Sequence, residues 1–296
     1  MVRRVAIVGP TCAGKSDLVE HAAEQGLLQG FAVVSVDAFA IYRGLEITAW
    51  APRPAGTLDY QLVGVVEPSA EISLGWFLAR LRELEDAYAS LLLVGGTSLW
   101  VRAAVNGVVP PPLALGLRRW LETRALDPEG VAALRRILAG LDPLAAARID
   151  GPNARRIVRA LEVALASAGR ASVAGDQLAP RRAGRYIQLG LRVEPEELRR
   201  RIRARIDAQL KAGWLEEVAN LRAASRTARQ AIGVAELEAV LCGALSVEEA
   251  RDRIAQRTWR LARRQLAWLA RDPRILWFDD PDAALAQLAA CAEEAA

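Results

Sequence analysis

A strand-like apolar run, Val5 to Val8, leads directly into Gly9, Pro10, Thr11, Cys12, Ala13, Gly14, Lys15 and Ser16, which fill every fixed position of a phosphate-binding P-loop. No other stretch constrains the fold as tightly. A chain that leaves a strand, wraps an anion in backbone N–H groups and enters a helix needs a sheet whose strand ends face a ligand. Gly9 and Gly14 relieve Cβ crowding where the backbone turns around phosphate oxygens. Lys15 is placed to neutralise a terminal phosphate, and Ser16 to hold Mg²⁺ through its hydroxyl. The segment is expected to bind a diphosphate or polyphosphate, and the loop alone leaves open which.

Further apolar runs read as buried parallel strands: Arg4 to Val8, Val33 to Val36, Leu91 to Val94, Tyr186 to Val193 and Ile275 to Phe278. Helical patterns separate them, so the expected architecture is α/β, an open parallel sheet with helices on both faces. Residues 1–109 form the first part of this core. Pro110, Pro111 and Pro112 introduce short amphipathic helices to Asp150, a helical insertion over 110–150. The remainder of the core, 151–296, opens on a helix from Pro152 to Ala168 and is largely helical from Pro195 onward. Gly169 to Gly184, polar and rich in Gly and Ala, reads as a loop.

At 296 residues with 52% hydrophobic content, the chain can bury a large core and is not disorder-dominated. It begins a strand almost at once, without the pattern of a secretory signal, and charged residues interrupt every apolar run before it could span a bilayer. A cytoplasmic location and no membrane partner are expected. Cys12, Cys242 and Cys291 lack metal-ligand spacing, and His21 is the sole histidine, so neither zinc nor a disulfide framework is expected. The net charge is +4, nearly all the positive charge is arginine, and Arg199 to Arg205 and Arg251 to Arg264 are dense tracts on predicted helices. Such tracts suit phosphate when they face one groove and are solvated surfaces otherwise.

Three local constellations carry chemistry. Asp37 ends the second strand, where a carboxylate facing a phosphate loop can bind Mg²⁺ or take a proton from a nucleophile; the competing reading is a helix N-cap. Gly95, Gly96 and Thr97 repeat the strand, glycine turn and helix arrangement beside it. Arg201 and Arg205, four apart on a helix burying Leu198, Ile202, Ile206 and Leu210, share a face from which two guanidinium groups could stabilise a diphosphate leaving group. Trp259, Trp268 and Trp277 read as packing residues first and base-stacking residues second.

Taken in order, these segments resemble the tRNA dimethylallyltransferases over almost the whole chain. The resemblance rests on Gly9 to Ser16, on Asp37 with Tyr42, Arg43, Gly44 and Leu45, and on Val94 to Thr97. It continues through Asn106-Gly107, Asp142-Pro143, Arg155 to Val163, Arg201, Ile202 and Arg205, Ala231-Ile232-Gly233, and Thr258 with Ala262 to Leu266 and Trp268.

The resemblance implies a P-loop NTPase-like fold used for prenyl transfer. Its phosphate loop would hold dimethylallyl diphosphate, with Lys15, Arg201, Arg205 and Mg²⁺ stabilising the departing diphosphate. Asp37 would accept the proton from the exocyclic amine of the adenosine beside the anticodon, with Thr97 near the reaction centre. Arg155, Arg156 and Arg159, together with Arg263, Arg264 and Gln265, would meet the tRNA anticodon stem-loop, and the insertion would add a tRNA contact. The protein is expected to act as a monomer. Relatives usually carry Asp-Ser-x-Gln where this chain has Asp37, Ala38, Phe39 and Ala40; Trp50 stands where lysine is common, Gln61 where histidine is expected and Val234 where an aromatic residue is usual. A small-molecule P-loop kinase, an adenylate prenyltransferase and a binding-only homologue are the competing readings.

Overall fold

The computed structural model describes residues 3–52, 58–111, 113–166, 185–221 and 223–293. The chain divides into two compact units, Met1–Val105 with Arg182–Ala296, and Asn106–Arg181. The expected loop from Gly169 to Gly184 lies outside the described residues.

The first unit is built on β1 (Arg3–Val8), β2 (Phe31–Val36), β3 (Tyr60–Gln61), β4 (Ser90–Gly95), β5 (Ile187–Leu191) and β6 (Ile275–Phe278). All neighbouring pairs are parallel, in the order β3-β2-β4-β1-β5-β6. The five strands expected from the sequence are present; the two-residue β3 is additional, too short to leave a periodic signal. Val5, Ala6, Ile7 and Val8 are buried on both faces, as a central parallel strand requires. Around them pack Leu18, Val19 and Ala22 of α1 (Lys15–Glu24) and Ala284, Leu285 and Leu288 of α13 (Pro281–Glu293). The remaining helices of this unit are α2 (Glu46–Ala49), α3 (Leu74–Ala87), α4 (Ser98–Val105), α9 (Pro195–Lys211), α10 (Trp214–Ala219), α11 (Val234–Leu241) and α12 (Val247–Leu269). α9 and α12 pack together, and α12 starts at a capping box in which Ser246 and Glu249 satisfy each other's backbone N–H groups.

Gly95 at the end of β4 is fixed by its neighbour, since a Cβ there would overlap the carbonyl oxygen of Val36 on β2. Gly95→Ala must push the two strands apart next to the phosphate loop. We expect a loss of at least ~2 kcal/mol of stability, read as a lowered urea midpoint at unchanged m; an unchanged midpoint would show that the strands are not held this close.

The second unit contains α5 (Leu115–Arg124), α6 (Pro128–Leu141), α7 (Pro143–Arg148) and α8 (Ala154–Ala166). The expected insertion ends at Asp150, with the next helix in the core remainder. In the structure Ile157, Val158, Ala160 and Leu161 of α8 pack with Leu121, Val131, Leu134 and Leu138, because the apolar stripes of α5, α6 and α8 complete one another. Asp127 and Asp142 cap α6 and α7 through Gly130 N and Ala145 N. Glu162, fully buried, is neutralised by Arg118 at 2.9 Å and Arg159 at 2.7 Å and accepts from Ala114 N.

Candidate active site

Sheet register assembles the site. Val8 and Val36 both pair with Gly95, so β1, β2 and β4 end level with one another. The residues that follow, Gly9, Asp37 and Gly96, therefore emerge together at the carboxyl edge, where ligands of open parallel sheets bind. A cleft of about 860 Å³ opens there, lined by the phosphate loop, Asp37, Gly95 and Gly96, with Trp50, Arg200, Arg201 and Arg205 among its other walls.

The loop has the backbone its sequence requires. Gly14 sits at φ 89° immediately before α1, and Cys12 adopts φ 64°, a left-handed conformation uncommon outside glycine. Lys15 folds over the loop, its Nζ donating to Pro10 O at 2.7 Å and Gly9 O at 3.1 Å. Burial lowers its pKa from 10.5 to about 8, with the Arg205 charge adding to the fall and Cys12 and Asp37 opposing it. An ammonium that is costly to keep charged in the free site gains most when an anion arrives. As pH rises through about 8 the free amine loses its proton, so affinity for an anionic diphosphate is expected to be level below pH 8 and to weaken above it. Titration of inorganic diphosphate binding between pH 7 and 9.5 checks this, and affinity that strengthens across that range would contradict it.

Arg205 is the strut between α9 and the loop. Its guanidinium donates to Thr11 Oγ1 at 2.9 Å and Ala49 O at 3.1 Å and lies 5.6 Å from the centre of the Trp50 ring. Arg201 lines the cleft and pairs with Glu197 at 2.7 Å. The helix beneath buries Leu198, Ile202, Ile206 and Gln209, with Gln209 rather than Leu210 on the buried side.

The two oxygens of Asp37 are in different environments. Oδ1 accepts from Phe39 N at 2.8 Å and Ala40 N at 3.3 Å, a local turn rather than the cap of a helix. Oδ2 accepts no hydrogen bond among the described residues. Thr97 Oγ1 accepts from Ala38 N at 3.3 Å, so the threonine holds the peptide following Asp37.

Gln265 departs from its expected place. Instead of lying with the exposed Arg263 and Arg264, its side chain reaches the loop, with Oε1 accepting from Thr11 N at 2.9 Å and Nε2 donating to Gly96 O at 2.8 Å. A step of one residue beyond the exposed Arg264, about 100° of helical phase, suffices to aim it inward. Arg155 and Arg156 are exposed on α8, whereas Arg159 is turned to Glu162 and to Pro111 O. The tryptophans are covered by arginines: Arg102 lies 3.8 Å from the centre of the Trp268 ring and Arg199 4.5 Å from that of Trp259.

Behind the cleft is a smaller pocket of about 80 Å³. It shares Thr11, Asp37, Ala49, Arg205 and Gln265 with the cleft; Phe39, Ile202, Trp214, Ile232 and Leu261 give it an apolar side, and Thr48, Gln209 and Thr258 add polar groups. No local stretch of sequence marks this pocket, since its walls come from six separated segments.

Together the parallel sheet, the strand-to-helix loop and the cationic cleft at the strand ends define a P-loop NTPase-like α/β protein. The solved tRNA isopentenylpyrophosphate transferase of Bacillus halodurans aligns with a TM-score of 0.66 at 29% identity, covering 99% of this chain and 98% of that one. A eukaryotic dimethylallyltransferase acting on tRNA shares the fold with a TM-score of 0.75 at 21% identity, over 95% of this chain and 75% of that one. Two tRNA dimethylallyltransferases, from Nocardioides sp. and Thermomicrobium roseum, are 39% and 38% identical; the alignments span 94% and 93% of this chain and 92% and 85% of the relatives. The IPP transferase family model matches residues 40–272, and the chain belongs to that family.

Proposed function

We propose that this protein transfers a dimethylallyl group from dimethylallyl diphosphate to the exocyclic N6 of the adenosine adjacent to the anticodon of tRNA, releasing diphosphate. The observation that carries the reading is Asp37, the one carboxylate shared by a cationic phosphate cleft and a smaller pocket with an apolar side. A kinase site needs the cleft but has no use for an apolar pocket wall beside the base. Relatives bearing the name tRNA dimethylallyltransferase support the same reading.

In this mechanism the loop N–H groups and Lys15 take the diphosphate, and Arg205 and Arg201 add positive charge where the leaving group accumulates its own. The five-carbon tail enters the smaller pocket along its apolar side. The adenine is drawn out of the anticodon stack, as an enzyme acting on a base generally requires. Its N6 forms a bond to the allylic carbon while the carbon–oxygen bond to diphosphate breaks, the electron pair leaving with the oxygen. Asp37 Oδ2 takes the proton released from N6, held in place by the Oδ1 turn and Thr97. Allylic diphosphates ionise readily, so holding charge and positioning nitrogen are the main demands on the protein.

Mg²⁺ fits this chemistry. The Ser16 hydroxyl lines the cleft, an oxygen donor of the kind the ion prefers, which leaves the Asp37 carboxylate free to act as the base. Among the described residues no group of three or more His, Cys, Asp or Glu could hold a metal, so phosphate oxygens and water would complete its shell. When bound, the ion supplies charge neutralisation on the diphosphate. The exposed Arg155, Arg156, Arg263 and Arg264 are proposed to meet the tRNA backbone. Among the described residues no helix is long and apolar enough to cross a membrane; action on tRNA would place the protein in the cytoplasm.

Incubation with labelled dimethylallyl diphosphate and unmodified tRNA, beside a parallel reaction with labelled ATP, tests the reading. Label in tRNA adenosine from the first supports it; transfer only from ATP would replace it with a kinase.

A further inference from the structure

Glu217 sits on α10, outside both pockets, yet it makes the most concentrated set of hydrogen bonds to the segment bordering the cleft. Oε2 accepts from Ile47 N at 2.7 Å, while Oε1 accepts from Thr48 N at 2.7 Å and Thr48 Oγ1 at 2.6 Å. Thr48 Oγ1 in turn accepts from the buried Trp214 Nε1 at 2.8 Å. Gln209 Nε2 donates to Ile47 O at 2.5 Å and Thr48 O at 3.2 Å, so both sides of the short α2 backbone are tied to α9 and α10. The next two residues are functional neighbours: Ala49 O accepts from Arg205 Nη2, and the Trp50 ring lies under the Arg205 guanidinium.

We infer that Glu217 is a positioning residue for the diphosphate site, acting through the 47–50 segment to set Arg205 against Thr11 of the phosphate loop. The inference rests on the cleft being a diphosphate site, as proposed above. Two features set Glu217 apart from an ordinary surface cap. A four-residue helix cannot hold its own geometry, so whatever fixes Ile47 and Thr48 also fixes Ala49 and Trp50. Burial also pushes the Glu217 carboxyl above its ordinary value, only partly offset by the bonds from Thr48 and Ile47. A costly carboxylate is thus retained at the one place where it can accept from two successive backbone N–H groups and a hydroxyl. Each link is a contact, and the chain from Glu217 to Thr11 is continuous: Glu217, Thr48, Ala49, Arg205, Thr11.

Calorimetric binding of inorganic diphosphate tests this without requiring prenyl transfer. The wild type is compared with Glu217→Gln, Arg205→Ala and the double variant. Glu217→Gln keeps one oxygen for Thr48 but replaces the acceptor of Ile47 N with a donor. It is expected to weaken diphosphate about tenfold, and to add almost nothing once Arg205 is absent, since both act through one contact. Thr48→Val, which removes the hydroxyl, should weaken binding in the same direction, and Thr48→Ser should restore it. Equal effects of Glu217→Gln with and without Arg205, or diphosphate affinity matching the wild type, would overturn the inference. If Glu217→Gln fails to fold, the Thr48 pair measured with and without Arg205 separates the same two outcomes. A wild type that binds no diphosphate would instead remove the reading of the cleft itself.

Discussion

Asp37→Asn is expected to lower kcat for tRNA prenylation about 1000-fold while leaving the KM for dimethylallyl diphosphate and the Kd for tRNA within about twofold. The asparagine carbonyl can still accept from Phe39 N and Ala40 N, so the turn that aims the side chain survives. What disappears is the second oxygen as a proton acceptor. The amide is a far weaker base than a carboxylate, and the N6 proton has no comparable destination among the residues that line both pockets. Steady-state kinetics with a filter-binding measurement of tRNA affinity separates the outcomes. Matched losses of turnover and tRNA binding would assign Asp37 to binding rather than to proton transfer.

Lys15→Ala should have the second largest effect and fall elsewhere. The amine already bridges two loop carbonyls, and burial lowers its pKa only to about 8, so it still carries its charge at neutral pH and is poised for an anion. Losing a charge-assisted contact to phosphate costs up to about 3 kcal/mol, which corresponds to about 100-fold in kcat/KM for the prenyl diphosphate. tRNA affinity should remain within twofold. Because the loop carbonyls lose their donor, folding must be checked by circular dichroism. Unchanged kcat/KM in a folded variant would remove Lys15 from the site.

Much of this site was legible from local sequence, and the reason is geometric. The phosphate loop, Asp37 and Gly95 to Thr97 each follow a strand, and an open parallel sheet brings strand ends to one edge whatever the details of register. What escaped was everything depending on helix phase and on contacts between distant segments. Gln265 was grouped with Arg263 and Arg264 by adjacency, although one position along α12 separates a solvent-facing side chain from one that touches Thr11. Arg159 is expected on one polar face with Arg155 and Arg156, but its partner Glu162 lies on the next turn and is buried. Nothing local marks Glu217 as a positioning residue, since Ile47 and Thr48, its partners, lie about 170 positions away.

The departures at Ala38, Ala40 and Trp50 also become interpretable. Ala40 is buried, so a small residue fits there, while Ala38 uses only its backbone N–H, donated to Thr97. Trp50 offers Arg205 an aromatic face where a lysine would offer like charge.

The most direct measurement is mass spectrometry of nucleosides from unmodified tRNA incubated with the protein, Mg²⁺ and dimethylallyl diphosphate. The account predicts one adenosine, adjacent to the anticodon, heavier by a single isoprene unit and absent from the reaction with Asp37→Asn. Unaltered tRNA beside a wild type that binds both substrates would contradict it.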